Sequence, residues 1–397
     1  MKDRGIEVYL NNTKASKKQY DRPFKFRFNF DRGPKIDTLS GTGTAIVKFK
    51  EGDNSPYIYT GETKKGLYTK LFRKWLSPWM VEVYQEDELI YSADLDRDVL
   101  MGSKINVHLD SSSLGDTIAW IPVIHMLIEK YDCDLYVNSW WNELLSIFYP
   151  DIRFHPPVYR EKNTSAYIGV GWYEEDNVDY HKRDPRTISL QQVAGDQLGI
   201  NVDGDVLFPD TPGIISNSSP SIDGKYVCIA LDSTANAKHW HYPGGWQSII
   251  DYLNSIGYKV VVVQKQEVQL EGIVDKTGDV SILDRAVDIY HSDFFIGIGS
   301  GLSWLAWALK KPVVMISGFS LPSCEFEHLN YRVINRGVCH GCFNDPGHKF
   351  DKGDWNWCPR LKETPDRFIC TTSITPEMVI DKIDLLMQEN NITPNLE

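Results

Sequence analysis

The sequence predicts an α/β protein: two parallel-sheet halves preceded by a β-rich N-terminal region. Three observations predict it. From Lys104 onward, short apolar strands alternate with amphipathic helices, the order that gives a mainly parallel sheet. A stretch rich in Pro, Ser, Gly and Asn, from Pro209 to Gly224, divides that alternation in two. Ahead of it, Phe24, Phe26, Phe28 and Phe30 alternate with Lys25, Arg27 and Asn29, a strand of period two with one wet face. The expected segments are therefore 1–100, 101–218 and 219–397.

In chain order, Thr44 to Lys50 is a second β-rich run, and Met80 to Tyr84 with Leu89 to Leu95 form a hairpin around Gln85 to Glu88. Lys104 to Leu109 is a strand, Asp110 to Gly115 a loop of small residues, and Asp116 to Glu129 a helix that Pro122 should bend. Strands follow at Asp134 to Val137, Ile152 to Phe154 and Tyr167 to Trp172, with a helix over Trp141 to Phe148. Past the linker come strands at Tyr226 to Leu231, Tyr258 to Val263, Phe294 to Ile298 and Pro312 to Ser317. Helices over Gly245 to Ser255, Leu283 to His291 and Gly301 to Leu309 separate them. The last helix has Thr375 as cap, Pro376 at its first position and Glu377 at its positive end.

Composition narrows the function. Of 397 residues, 42% are hydrophobic and 24% charged, which excludes a disordered or fibrous chain. A net charge of −12 argues against a nucleic-acid partner. No apolar run is long enough to span a bilayer and no apolar core of a signal peptide follows Met1, so no membrane insertion and a cytoplasmic location are expected.

Open parallel sheets bind ligands at the carboxyl ends of their strands, so the loops there carry the chemistry. In the first half the loop runs Asp110-Ser111-Ser112-Ser113-Leu114-Gly115-Asp116. Asp116 at the helix start either caps the helix or faces the cleft as a general base for an acceptor hydroxyl. In the second half, Ser233, Thr234 and Lys238 follow a strand, and hydroxyls with a compact cation suit a phosphate. The turn Gly299-Ser300-Gly301-Leu302-Ser303 opens a helix, where free amides and the positive end favour an anion. It lacks the spacing of a dinucleotide fingerprint, and no P-loop motif occurs. No Asp-x-Asp pair stands in these loops, so no Mg²⁺ is expected at the donor site.

Seven cysteines occur. Cys133, Cys228 and Cys324 stand apart in apolar surroundings and read as inert core. Cys339, Cys342, Cys358 and Cys370, within the segment from Asn335 to Thr371, can hold one tetrahedral ion, zinc or iron. His340 and His348 are spare ligand candidates. A closed four-sulfur site leaves no position for substrate, so its role is structural.

Taken together, several motifs resemble the bacterial autotransporter heptosyltransferases, relatives of the lipopolysaccharide heptosyltransferases. They are Leu114-Gly115-Asp116, the run from Ser233 to Trp240, Gly244-Gly245-Trp246, Gly299 to Trp307, Pro312 to Pro322, and the cysteine segment with Trp357-Cys358-Pro359-Arg360. The resemblance spans roughly residues 95 to 390 in order. It implies a GT-B fold of two Rossmann-like domains facing a cleft, a four-cysteine iron site and a homo-oligomeric, twelve-subunit ring. It further implies transfer of heptose from an ADP-activated donor to serines of autotransporter passenger repeats. By the same resemblance Asp116 is the base, Lys238 binds phosphate, and Ser300 to Ser303 form the donor phosphate loop. The stretch from Trp172 to Arg186, with Tyr173-Glu174-Glu175-Asp176, departs from the family pattern and leaves the sugar open. Three rivals stand beside this reading: a same-fold enzyme with another nucleotide sugar, a sugar-phosphate epimerase, and a non-enzymatic four-cysteine docking or electron-transfer protein. The epimerase needs a second acid/base partner for Asp116, and none is evident.

Overall fold

The structure is a computed structural model that describes residues 23–172, 181–348 and 355–394. Seven strands come first: β1 (Lys25–Asp31), β2 (Pro34–Ser40), β3 (Ala45–Glu51), β4 (Tyr57–Thr63), β5 (Tyr68–Lys70), β6 (Trp79–Gln85) and β7 (Glu88–Asp94). The first half follows as β8 (Lys104–Leu109), α1 (Leu114–Tyr131), β9 (Asp134–Asn138), α2 (Asn142–Phe148), β10 (Arg153–His155), β11 (Ala166–Val170) and α3 (Leu190–Leu198). The second comprises α4 (Gly213–Ser216), β12 (Tyr226–Ala230), α5 (Gly245–Ser255), β13 (Lys259–Val262), β14 (Ile273–Asp275), α6 (Ile282–His291), β15 (Phe295–Ile298), α7 (Gly301–Ala308), β16 (Val313–Ile316), β17 (Asn330–Val333), α8 (Ile369–Thr372) and α9 (Pro376–Glu389).

The second half is a six-stranded sheet in the order β14-β13-β12-β15-β16-β17, every pair parallel. Its central strands are buried on both faces, which is why they read as unbroken apolar runs. The first half holds β10-β9-β8-β11, also parallel, and that sheet continues into the N-terminal region as β1-β2-β5. Phe30 and Asp31 of β1 pair in parallel with Ala166 and Tyr167 of β11. Phe26, Phe28 and Phe30 therefore point into the same core as the α/β layers, and hydrogen bonding crosses the division expected near residue 100. Strands β3, β4, β6 and β7 form a separate antiparallel sheet of four.

Helix α1 begins two residues before the expected start. Ser113 accepts from the amide of Asp116 and caps the helix, so Asp116 lies inside the first turn and is not the cap. Pro122 sits within this helix. Thr375 precedes Pro376 as expected, but its side chain makes no cap bond. The halves meet where α1 packs on α7, with Trp304 and Trp307 joining the core that Ile118 and Trp120 line. Among the described residues no helix is long and apolar enough to cross a membrane.

Candidate active site

Three strand-end loops converge where α1 and α7 touch. A Cβ built on Gly301 would lie 2.8 Å from the Leu114 Cβ and 3.1 Å from the Gly115 nitrogen. One on Gly115 would lie 3.2 Å from Cδ1 of Trp304. Two glycines thus let two helix N-termini meet, and their unpaired amides and partial positive charges gather at one point.

Asp116 stands beside that point on the first half. Its Oδ2 accepts from Ser111 Oγ at 2.6 Å and from the indole Nε1 of Trp172 at 2.7 Å. Burial in the cleft pushes its carboxyl above the ordinary carboxylate range, opposed by those two donors and by the charge of Lys238. The sequence-derived pair of a carboxylate on one half and a lysine on the other is therefore within electrostatic reach.

Lys238 ends a single 3-10 turn, Asn236–Lys238. Among the described residues its ammonium has no ion-pair partner. The loop before it is tied at several points. His239 Nε2 lies 3.1 Å from Asp232 Oδ1 and 3.2 Å from the Ser233 amide. The Ala237 amide donates to the Trp355 carbonyl at 2.8 Å. Ser233 is half-buried and Thr234 exposed.

In the turn at α7 the two serines differ. The Ser303 hydroxyl is spent on the Ile298 carbonyl at 2.7 Å and locks the turn to its strand. The Ser300 hydroxyl is buried with no partner among the described residues, and it makes no cap bond to its own helix. A buried hydroxyl without a partner at the positive end of a helix awaits a polar ligand. Leu302 packs against the shared core, and Gly299 leaves room for the Glu325 carboxylate, 2.8 Å from where its Cβ would stand. Glu325 accepts from Ser320 Oγ at 2.8 Å and pairs with Arg332 at 2.5 Å, a buried brace beneath the turn.

The four clustered cysteines come together. Cys342, Cys358 and Cys370 are buried and Cys339 half-buried. Burial, then the neighbouring thiols of Cys342, Cys358 and Cys339, push Cys370 up to about 12. Burial also pushes Cys342 up to about 12, against Arg360, whose Nη1 reaches the Cys339 sulfur at 3.6 Å. Among the described residues no three Cys, His, Asp or Glu donors sit in ligand geometry around one point. Cys339, Cys342 and Cys358 all lie near enough to act on the Cys370 thiol, and four thiolates are a donor set whose chemistry would suit a tetrahedral ion. His348 is engaged by Arg360 at 3.0 Å and His340 by the Val338 carbonyl at 2.7 Å, so both imidazoles have other contacts. Cys133, Cys228 and Cys324 are separate and buried; burial raises each thiol, Cys133 to about 11.

Sequence reasoning singled out the stretch from Trp172 to Arg186 as bearing on the sugar but gave neither Trp172 nor Arg186 a role, and it missed the Glu325–Arg332 brace. Arg186 donates to the carbonyls of Asp345 and His348 and so ties the cysteine segment to the first half. Trp172 follows the carboxyl end of β11, and the rule that pointed to the other loops would have found it. Residues Tyr173 to Asp176, where the family pattern breaks, lie outside the described residues.

A carboxylate on one parallel-sheet half, within the field of a lysine on the other and beside a glycine turn that opens a helix, suits proton transfer next to a bound anion. No family model matches the chain. It is 31% identical to the autotransporter heptosyltransferase Aah of Escherichia coli over 90% of its length and 92% of that protein. The chain belongs to the autotransporter heptosyltransferases. The inactive autotransporter heptosyltransferase BimC of Burkholderia thailandensis is 27% identical over 89% of the chain and 84% of its own length. The iron-containing dodecameric glycosyltransferase TibC of enterotoxigenic E. coli superposes with a TM-score of 0.82 at 28% identity, covering 92% of this chain and 96% of that one. A second TibC structure, in complex with ADP-D-beta-D-heptose, also gives 0.82, at 27% identity over 95% of this chain and 100% of that one. The fold extends to the E. coli ADP-heptose lipopolysaccharide heptosyltransferase II, with a TM-score of 0.52 at 16% identity, 72% of this chain and 99% of that one.

Proposed function

We propose that this enzyme transfers heptose from ADP-heptose to serine hydroxyls of autotransporter passenger repeats in the cytoplasm, with inversion at the anomeric carbon. The observation that carries the reading is Asp116 held on the first half within the field of Lys238 on the second. Because a relative in this family is inactive, membership alone does not carry it; the assembled site does.

The acceptor serine gives its proton to the Asp116 carboxylate as its oxygen attacks the anomeric carbon. The bond from that carbon to the diphosphate oxygen breaks, and ADP leaves with the electron pair. Lys238, the amides at the start of α7 and the Ser300 hydroxyl stabilise the charge that develops there. Ser233, Thr234, Gly299, Gly301 and Leu302 shape the same pocket, and Ser303 fixes it from behind. Lysine and helix amides take the place of Mg²⁺. Cys339, Cys342, Cys358 and Cys370 hold one iron ion per chain, with zinc as the alternative; the ion would order their segment and supply no step of the transfer. The chain assembles into a homo-oligomer, a dodecameric ring, as TibC does.

Incubation with ADP-heptose and an autotransporter passenger fragment tests the reading. One heptose of added mass on the fragment, with release of ADP, is expected. No added mass, or equal transfer from other nucleotide sugars, overturns it.

A further inference from the structure

We infer that Trp172 is the positioning residue for Asp116, and that Phe343 of the cysteine segment holds Trp172 in place. The inference rests on Asp116 being the base and goes beyond it.

Both hydrogen bonds to the Asp116 carboxylate land on one oxygen. Ser111 and Trp172 donate to Oδ2, and Oδ1 has no partner among the described residues. Two neutral donors on one oxygen fix the plane of the carboxylate and leave Oδ1 as the proton acceptor. An indole N–H cannot ionise in the working range and cannot rotate away as a hydroxyl does, so Trp172 is the stiffer constraint.

Trp172 is itself held from three sides. Gln197, buried on α3, clamps the residue before it: the Gly171 amide donates to its Oε1 at 3.0 Å, and its Nε2 donates to the Gly171 carbonyl at 3.1 Å. The indole packs on Trp120 of α1, centroids 5.8 Å apart. On another side Phe343 meets it edge to face at 5.8 Å and 89°. Phe343 is bound into the cysteine segment, adjacent to Cys342, with its amide donating to the Phe319 carbonyl at 3.1 Å. Order in that segment thus reaches the base through two aromatic rings. Of the charged groups, Lys238 across the cleft acts on Asp116; in the loop that bears Lys238, His239 is paired with Asp232, and Asp110 lies against Gly171. His181, hydrogen-bonded to the Trp172 backbone, is pushed down to about 4 by burial and stays neutral in the working range.

The test measures transfer from ADP-heptose to a passenger fragment against pH, with ADP affinity and thermal midpoint, for Asp116→Asn, Trp172→Phe, Trp172→His and Phe343→Ala. Trp172→Phe keeps a ring in the packing and removes only the donor. Expected is a drop in kcat of about ten- to a hundredfold, the effect of one lost hydrogen bond to a charged group. The acid limb should move to higher pH, because a donor that favours the carboxylate is gone. KM for the donor and ADP affinity should hold. Trp172→His, which can still donate, should recover part of the rate, and Phe343→Ala should move kcat and the acid limb in the same directions by less. Wild-type kcat and pH profile in Trp172→Phe, with Asp116→Asn inactive, overturn the positioning role and leave the base reading standing. Loss of ADP binding in step with kcat in Trp172→Phe also overturns it, since the residue would then be general scaffold. An active Asp116→Asn overturns the base reading first, and the inference with it.

Discussion

Gly115 of α1 and Gly301 of α7 face each other with no room for a side chain between them: a Cβ on Gly301 would come within 3.1 Å of the Gly115 nitrogen and 2.8 Å of Leu114. The contact lies between the two halves, so a methyl group there has to push the halves apart. Gly301→Ala should destabilise the fold by about 1–3 kcal/mol, the usual cost of overpacking. It should also weaken ADP binding, because the amides at the α7 terminus move off the pocket. Thermal unfolding and calorimetry with ADP check both; an unchanged ADP affinity would show that the contact is packing alone.

Ser300 and Ser303 stand in one turn, and among the described residues the Ser303 hydroxyl has a partner while the Ser300 hydroxyl has none. Ser303→Ala strands the Ile298 carbonyl in the core and should cost about 1–3 kcal/mol of stability. Ser300→Ala removes a hydroxyl that no described residue engages, so stability should hold or rise slightly while donor affinity falls. Denaturant titration of each variant, alongside ADP-heptose binding, separates the two roles. Equal stability losses would contradict the assignment of Ser300 to the ligand.

In the proposed reaction Lys238 acts on two groups at once, the donor diphosphate and Asp116. Lys238→Ala should weaken ADP and ADP-heptose binding by about 1.5–3 kcal/mol, the range for a hydrogen bond to a charged group. It also removes a positive charge that lowers the Asp116 carboxyl, so the acid limb of the rate should shift to higher pH. Salt should weaken wild-type ADP binding more than that of the variant. An acid limb that stays in place would separate Lys238 from Asp116.

The middle of the second sheet was legible because its central strands are buried on both faces and because α5 and α7 begin at a glycine. Gly245 to Ser255 is predicted and observed with the same bounds, and the four predicted strands differ by a residue at their ends, but the half-exposed edge strands β14 and β17 were not predicted. The position of Asp116, Lys238 and Ser300 after the carboxyl ends of β8, β12 and β15 was legible because it follows from strand order alone. The pairing of β1 with β11 was not legible, since a period of two shows that a strand has a wet face but not which strand it joins. The start of α1 was misread because Asp116 and Ser113 both suit a cap, and only the path of the chain chooses between them. Trp172 stayed hidden because its partner, Asp116, is distant in sequence and meets it only once β8 and β11 lie side by side.

The cysteine segment carries a prediction of its own. Elemental analysis should find one metal ion per chain, and Cys342→Ser should lower metal content and thermal midpoint together, as expected where binding and ordering are coupled. Since Trp355 accepts from the Ala237 amide, the loop bearing Lys238 should loosen as well, and ADP affinity should fall without any change at Lys238 itself. A metal-free protein, or a Cys342→Ser protein with full stability, would contradict the site.

As the proposed base, Asp116 sets stability against activity. Its carboxyl lies above the ordinary value of 3.8 in the folded chain, chiefly through burial. Between the unfolded and the raised folded value the native state binds more protons than the unfolded one, so stability falls as pH rises through that window and stays lower above it. Catalysis runs the other way, because only the ionised carboxylate accepts a proton, and the rate should climb with pH through the same window. Asp116→Asn keeps a carbonyl oxygen for Ser111 and Trp172 to donate to and removes the buried charge. At neutral pH it should therefore unfold at the same temperature as wild type or higher, bind ADP normally, and lose about 10²–10⁴ in rate. Melting curves across pH, set beside rate profiles, would show the two limbs crossing in wild type and the stability limb flattened in the variant. A variant that melts lower than wild type at neutral pH would mean that the charged carboxylate stabilises the fold, and its raised protonation range could not then come from burial.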